Sequence, residues 1–460
     1  MQPVYTAPTQ TVPLLPLRLL IAFFRDPLRM LLQLAHQYGD VFSFQVGKQR
    51  IIVLNHPDAI RELLVVQHEH IRKGDGVMQR DNVLGRGLAT NDGPFYKKQR
   101  RLVQPAFHRQ RLTGYAQTMV EAALQQAWTW CDGTTIDMVQ EMPHLTLEIV
   151  AKTLFNADMG EETRVIEEGL PVTLEEFRKN ALSLGALLGK DLLRRLPFPI
   201  NIRSKRACAR MDQVIARMID EHRQKGDDQG DLLSMLLLAQ DEEGHGMSDR
   251  QLRDEVMTLM IAGHETVAFT LIWTWYLLAV NPEAKAKVQL EVDRVLSGRA
   301  ATFDDLPHLD YTRRVIMETM RLYPPVWIMD RRTLSDLTLA GISIPAGARV
   351  VVSQYVVHHD PRFYPDPDRF DPDRWTPERQ ASRPKFAYFP FGGGPRICIG
   401  ESFALTECIL LLATLSQHWQ IELSPKACVE LQPSVTLRPK YGIEMILHQR
   451  GKAPSVANGS

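Results

Sequence analysis

The sequence predicts a mainly α-helical protein, a large helical body with a small β-rich region. Three features carry that expectation: one unbroken helical pattern near residues 248–281, helical periodicity through most of residues 55–330, and two short β-patterned patches flanking that stretch. At 460 residues the chain exceeds the usual single-domain length, so it holds several domains or one large fold that buries a cofactor. Hydrophobic residues at 44% and charged residues at 23% describe an ordinary globular composition. Lys+Arg and Asp+Glu both number 54, and this balance excludes nucleic acid as a partner class.

Five cysteines, Cys131, Cys208, Cys398, Cys408 and Cys428, are scattered and contain no CxxC pair. That argues against a disulfide framework or a zinc site and for a reducing, cytoplasmic setting. Residues 13–24 are apolar apart from Arg18, yet they contain two prolines and fall short of the roughly 20 residues that span a bilayer. No cleavage-site pattern follows them. The expectation is a packed N-terminal arm over residues 1–25 and no transmembrane anchor.

A helix is expected over residues 26–38, with Asp26 as N-cap and Pro27 in its first turn. Residues 40–46 and 50–54 alternate in β fashion around Gly47 and Lys48, a hairpin pattern. Residues 337–344 and 348–353 form the second β patch, separated by Pro345, Ala346 and Gly347. An irregular, proline-rich stretch follows over residues 360–395, then a last helix over 400–419 and a flexible tail at 451–460.

The long pattern opens on a capping box, Ser248 with Gln251, and stops at Asn281-Pro282. About 33 residues at 1.5 Å each make a rod of roughly 50 Å. Its second half is apolar nearly all round, as expected of a helix crossing the protein's centre. Mid-helix it carries Gly263, His264, Glu265 and Thr266. A glycine there costs about 1 kcal/mol against alanine, and a charge costs more unless satisfied. Local violations of this kind mark functional sites.

The strongest chemical signal is FGGGPRICIG at residues 391–400. A thiolate that ligates iron needs donors and positive charge around its sulfur. Gly392, Gly393, Gly394 and Gly400 permit turns that aim backbone N–H groups at Cys398, and a helix starting at Glu401 adds its dipole. Arg396 stands two residues before the cysteine, suitably placed for a haem carboxylate. The plain alternative, a buried cysteine in a glycine-rich turn, fits an isolated motif better than this one.

The run resembles the cysteine-ligand signature of the cytochrome P450 family, FxxGxRxCxG, including Phe391, Gly394, Arg396, Cys398 and Gly400 without a departure. Further motifs follow the family's order. Glu318 and Arg321, with Arg374 from the FDPDRW run, are similar to its Glu-Arg-Arg network; Arg369 is the decoy. The AGHET run, Ala262 to Thr266, resembles its oxygen-activation motif, in which Glu265 relays protons and Thr266 holds bound dioxygen through its hydroxyl. The alternative for Thr266 is a back-bond to the carbonyl four residues earlier. His264 is read as a packed or surface histidine, and Val267 stands where the family often has a second hydroxyl. Tyr96 and Arg100 resemble the WxxxR pair that meets haem carboxylates, with tyrosine replacing tryptophan, and Arg331 matches another such arginine. Adjacent His358 and His359 splay apart and take structural roles.

The resemblance implies one cytochrome P450 domain over residues 26–450, with haem b between the long helix and the cysteine loop. It implies insertion of one oxygen atom from O2 into a hydrophobic substrate such as a fatty acid, terpenoid or polyketide. Electrons would come from a ferredoxin or flavodoxin with its NAD(P)H reductase, docking near Arg383 and Lys385 on a monomer. By the same analogy the substrate pocket takes Met78, Val83, Leu182, Leu184, Leu187, Leu188, Val326, Trp327 and Ile328 as walls. A peroxide-using or oxygen-independent haem-thiolate enzyme is the alternative, and a non-catalytic haem protein a second one. The Glu265–Thr266 pair argues against both, since neither needs a proton relay to dioxygen.

Overall fold

Asp26 caps the first long helix: its carboxylate accepts the Arg29 N–H at 3.0 Å, and helix α1 (Pro27–Tyr38) buries Leu28, Met30, Leu31 and Leu34. The computed structural model describes residues 10–12, 21–23, 25–46, 49–74, 84–156, 160–181, 198–240 and 243–451. The helical body continues with α2 (Gly93–Val103), α3 (Arg109–Thr129), α4 (Met138–Phe155), α5 (Glu161–Ala181) and α6 (Pro199–Lys225). It is completed by α7 (Asp249–Val280), α8 (Pro282–Leu296), α9 (Asp310–Leu322) and α10 (Glu401–His418).

The strands are β1 (Gln10–Thr11), β2 (Val41–Val46), β3 (Gln49–Leu54), β4 (Ile71–Lys73), β5 (Thr135–Asp137), β6 (Met329–Thr333), β7 (Leu337–Leu339), β8 (Ile342–Ile344) and β9 (Arg349–Val352). Four more, β10 (Trp419–Leu423), β11 (Leu431–Pro433), β12 (Leu437–Pro439) and β13 (Glu444–Gln449), lie near the C-terminus. The main sheet has the order β1-β2-β3-β9-β6-β4, so residues 10 and 11 of the N-terminal arm join β2 as an edge strand. The expected β2–β3 hairpin forms, pairing Val41 with Leu54 and Val46 with Gln49.

Two expectations need correction. The 337–344 patch is not one strand: Ala340 and Gly341 take positive φ of 52° and 72°, and the segment doubles back as the β7–β8 hairpin. Helical structure does not reach residue 330 either. It ends at Leu322, and Met329–Thr333 runs in the sheet between β9 and β4, where a charged Asp-Arg-Arg run hid the strand pattern.

Helix α7 is the axis of the body. Ser248 and Gln251 cap each other reciprocally as expected, and burial then continues almost without interruption from Leu252 to Leu278. By length and mean hydropathy (1.4) it could cross a membrane, but 83% of that window is buried inside the protein. It packs most extensively on α4. Gly263 lies at that contact, where a Cβ would stand 3.1 Å from Val150 Cγ2. Thr146 Oγ1 donates to His264 O at 3.2 Å across the same contact.

The irregular stretch after β9 is organised by Glu318 on α9, which like Arg321 has no exposed surface. Arg321 Nε donates to Glu318 Oε2 at 2.9 Å and Nη2 to Oε1 at 2.8 Å. Trp375 Nε1 reaches Oε2 at 2.9 Å, the Asp371 N–H reaches Oε1 at 3.0 Å, and Arg374 Nε lies 3.3 Å from Oε1. Arg321 also donates to the carbonyls of His358, Pro367 and Arg369, while the Arg369 side chain faces solvent.

Removing one partner of such a buried pair costs about 3–5 kcal/mol because the other charge is stranded. Glu318→Ala is therefore expected to lower the thermal unfolding midpoint steeply and to yield little folded protein. An unchanged midpoint by circular dichroism would contradict the structural role given to this carboxylate.

Candidate active site

Residues 391–400 make a loop whose shape depends on particular glycines. Gly394 has φ +68°, and a Cβ there would meet Leu64 O at 2.0 Å, so only glycine fits. The loop closes on itself through Cys398 N to Phe391 O at 3.0 Å and Ile397 N to Gly394 O at 3.0 Å. Gly400 is the N-cap of α10, and its N–H is hydrogen-bonded to the Cys398 sulfur. Burial is the first influence on the Cys398 thiol and pushes it up; the Gly400 N–H and Arg100 pull the other way. The sulfur has accessible surface yet is surrounded by protein atoms, as in a recess.

Helix α2 braces this loop. Arg100 Nη1 donates to Ile397 O at 2.7 Å and to Tyr96 Oη at 3.0 Å, and Tyr96 Oη donates to Pro395 O at 3.2 Å. The Arg396 guanidinium stacks 4.0 Å from the Tyr96 ring centroid, pairs with Asp92, and donates to Asn91 O at 3.0 Å. Asp92 also accepts the Lys73 N–H at 3.0 Å.

Lys73, Arg331 and Arg396 thus form a cluster of cations. Burial first, then Arg396 and Arg331, pushes the Lys73 ammonium down to about 7. Burial and Arg396 likewise push Arg331 down. Asp330, next to Arg331, is drawn off by Arg349, whose Nε lies 2.7 Å from Oδ2. Lys73 Nζ donates to Leu88 O at 3.0 Å and to Ala89 O, and Asp92 offsets Arg396, but three cations still share few carboxylates, an arrangement that suits an anionic ligand.

On α7 the pattern of burial breaks at one place. Ala262 is exposed and Gly263 and Thr266 half-exposed, while Ile261, His264, Glu265 and Val267 on either side are buried. This strip borders open space at the middle of a core helix. Thr266 Oγ1 donates to Ala262 O at 2.8 Å, the back-bond that was one of its two readings. Glu265 Oε1 accepts from Thr436 Oγ1 at 3.0 Å. His264 is held neutral by burial, down to about 4, and its Nδ1 has no hydrogen-bond partner among the described residues.

Other candidates fall elsewhere. His358 accepts the Phe389 N–H on Nε2 at 3.1 Å, and His359 Nδ1 bonds Tyr355 O at 2.8 Å; burial pushes both below their ordinary range. Trp327, expected in a substrate wall, is packed in the core with Nε1 on Ser434 O at 3.0 Å, whereas Val326 is exposed. Arg383 is not a free surface charge: its guanidinium lies 4.6 Å from the Trp375 ring centroid and donates to Arg374 O at 2.8 Å. Lys385 is exposed. Met78, Val83, Leu182, Leu184, Leu187 and Leu188 lie outside the described residues. Sequence reasoning missed Lys73, Asp92 and Thr436, none of which sits in a recognisable motif.

A family model described as Cytochrome P450 matches residues 8–446. The chain belongs to the cytochrome P450 family. It is 39% identical over 416 residues to cyclooctatin synthase of Streptomyces melanosporofaciens, covering 90% of this chain and 89% of that one. Cyclooctat-9-en-7-ol 5-monooxygenase of the same organism is 36% identical (88% and 87% covered), and pentalenene oxygenase of Streptomyces avermitilis 37% (88% and 89%). Among solved structures, the cytochrome P450DA heme domain superposes with a TM-score of 0.85 at 27% identity, covering 96% of this chain and 98% of that one.

This P450 is accordingly a monooxygenase with haem as its cofactor, drawing on O2, a hydrophobic substrate and a redox partner. The residues present fit the group. A porphyrin bears two carboxylates for a cation cluster and an iron for a thiolate, and it needs a flat opening beside the α7 strip. A carboxylate bound beside Lys73 would restore its ammonium, so above about pH 7 haem binding takes up a proton there. Haem retention is therefore expected to fall as pH rises above that value and to be insensitive to this group below it. Lys73→Met should weaken retention roughly tenfold and flatten the pH dependence. Haem transfer to apomyoglobin measures both, and an unaltered pH profile would exclude Lys73 from the carboxylate site.

Proposed function

We propose that this P450 hydroxylates a cyclic terpenoid, a hydrocarbon or a partly oxidised alcohol. Cys398 would hold the iron of its haem b through the thiolate, and residues 26–450 act as one catalytic unit. The observation that carries the assignment of the ligand is an exposed thiol on a glycine-shaped loop, closed by Cys398 N on Phe391 O and set at the start of α10. The terpenoid class is supported by three relatives, 36–39% identical over nearly the whole chain, whose names concern cyclooctatin, cyclooctat-9-en-7-ol and pentalenene. Apolar Val326 and Ile328, which are not fully buried, are consistent with such a substrate.

Bound haem supplies the chemistry of dioxygen activation and oxygen insertion. The chain's residues do the rest. Arg396, Arg331 and Lys73 would hold the haem carboxylates. Tyr96 and Arg100 brace the loop through Pro395 and Ile397, and Phe391, Gly394 and Gly400 shape it. Ala262 and Gly263 would leave α7 open beside the bound group. Glu265 would pass protons inward, and Thr266 would turn its hydroxyl from Ala262 O toward that opening. Glu318, Arg321 and Arg374 keep the segment before the loop in place.

Electrons come from a ferredoxin or flavodoxin reduced by an NAD(P)H-dependent reductase, meeting the face near Cys398 where Lys385 is exposed. Cytoplasmic residence is consistent with five unpaired cysteines.

Cys398→Ala is expected to abolish the thiolate-type spectrum of the reduced carbon monoxide complex; retention of that band would remove the ligand assignment. Binding of terpene hydrocarbons and alcohols should shift the haem spin state where fatty acids of similar size do not, and the reverse pattern would overturn the terpenoid class. With a substrate found by that screen, Thr266→Ala should divert reducing equivalents to hydrogen peroxide and cut product per NAD(P)H roughly tenfold or more. Unchanged coupling would take Thr266 out of the mechanism.

A further inference from the structure

Glu265 and Thr266 are neighbours in sequence, but successive side chains on a helix point about 100° apart. Thr266 is occupied with Ala262 O on the half-open strip. Glu265 is turned to Thr436, whose hydroxyl donates to Oε1 at 3.0 Å with both residues buried. Thr436 lies in the link between β11 and β12, and that link is firmly tied. Trp273 Nε1 donates to Leu437 O at 2.9 Å, and Leu437 N donates to Pro325 O at 2.9 Å. Trp327 Nε1 donates to Ser434 O at 3.0 Å, and Ser434 N donates to Thr436 O at 3.0 Å. The hydroxyl is therefore presented from a platform fixed both to α7, at Trp273, and to the segment after α9.

We propose that Thr436 is a positioning residue for the acid of the proton relay: it parks the Glu265 carboxylate against the β11–β12 link and must release it before the carboxylate can turn toward Thr266. The inference rests on the reading of Glu265 as that acid. The Thr436 hydroxyl keeps its own proton throughout. Glu265 gains each proton from solvent and passes it inward, so the residue is unchanged after each transfer. A second consequence follows from the ties on the link. Trp327 and Pro325 connect it to exposed Val326, so displacement at Val326 would reach the acid by way of the Thr436 hydroxyl.

The test uses haem-loaded protein, reduced and bound to carbon monoxide as the probe, with the C–O stretch read by infrared spectroscopy. That band reports charge and hydrogen bonding beside the probe and needs no turnover. Thr436→Val removes the hydroxyl at similar volume, Thr436→Ala is measured in parallel in case valine impairs folding, and Thr436→Ser keeps the donor. Losing a hydrogen bond to a charged group should shift the carboxylate toward its released orientation roughly tenfold. A second C–O band is therefore expected in the valine or alanine variant, absent in Thr436→Ser and lost again when Glu265→Gln is added. A single native band in both the valine and alanine variants overturns the proposal, as does a second band that survives Glu265→Gln.

The relay reading is judged separately, with Thr436 intact. Glu265→Gln should raise the peroxide formed per NAD(P)H, using the substrate from the spin-state screen. If it does not, Glu265 is not the acid and the inference falls with it, whatever the infrared bands show; if it does, the bands alone decide the role of Thr436.

Discussion

A carboxylate with no surface exposed to water must find its donors within the protein, and Glu318 finds them in chain that has little regular structure of its own. The Asp371 N–H, the Trp375 indole and the Arg374 guanidinium all come from the proline-rich stretch, and Arg321 adds the carbonyls of His358, Pro367 and Arg369. Helix α9 thus holds by charge a segment that could not hold itself by backbone ladders. The aromatic packing follows: Trp375 lies 4.3 Å from Tyr388 between ring centroids, and Arg383 covers the Trp375 ring. His358 takes the Phe389 N–H, two residues before the cysteine loop begins. Each step places the next, and the last places Gly394 against Leu64.

The recess beyond that loop is built against the ordinary preferences of a protein interior. Lys73, Arg331 and Arg396 crowd together with burial as the main influence on the first two, and like charges in such a setting repel strongly. Asp92 and the carbonyls of Leu88, Ala89 and Asp330 offset part of that repulsion, yet the three cations stay together. Their arrangement makes sense as preorganisation: the cost is carried by the polypeptide so that an anionic ligand meets donors already in place. The unexposed Glu318 network shows the contrasting solution, where the chain satisfies a buried charge without any ligand.

How far the sequence could be read depends on whether a residue's role is local. Capping by Asp26 and Ser248, the β2–β3 hairpin and the glycines around Cys398 follow from neighbours a few positions away, and each was legible. Glu318 and Arg321 share a helix turn, but recognising Arg374 over Arg369 needed the resemblance to a known family. Lys73 and Thr436 were invisible because their neighbours in space, Arg396 and Glu265, are far away in the chain (171 residues for Thr436 and Glu265), and neither stands in a distinctive pattern. Trp327 and Arg383 were misplaced for a related reason. Apolar and cationic side chains pack into cores and over rings as readily as they line pockets or surfaces, and only tertiary contacts decide between these fates.

Helix α7 joins these themes. Its middle turns carry a ladder of threonine back-bonds, Thr266 to Ala262 O, Thr270 to Thr266 O and Thr274 to Thr270 O, each returning a hydroxyl to the helix's own carbonyls. Such bonds satisfy a hydroxyl where no water reaches, and they weaken the helix slightly. Thr270 and Thr274 are buried, and Thr274 makes a second contact with Thr319 Oγ1 at 3.1 Å on α9, inside the core. Thr266 differs in one respect: it borders the exposed strip left by Ala262 and Gly263, where another acceptor can compete for its hydroxyl. Gly263 creates that strip because Val150 presses on the helix from α4, so close approach on one face and openness on the other have a common origin. The site is therefore a local interruption of a burial pattern that the rest of the helix obeys.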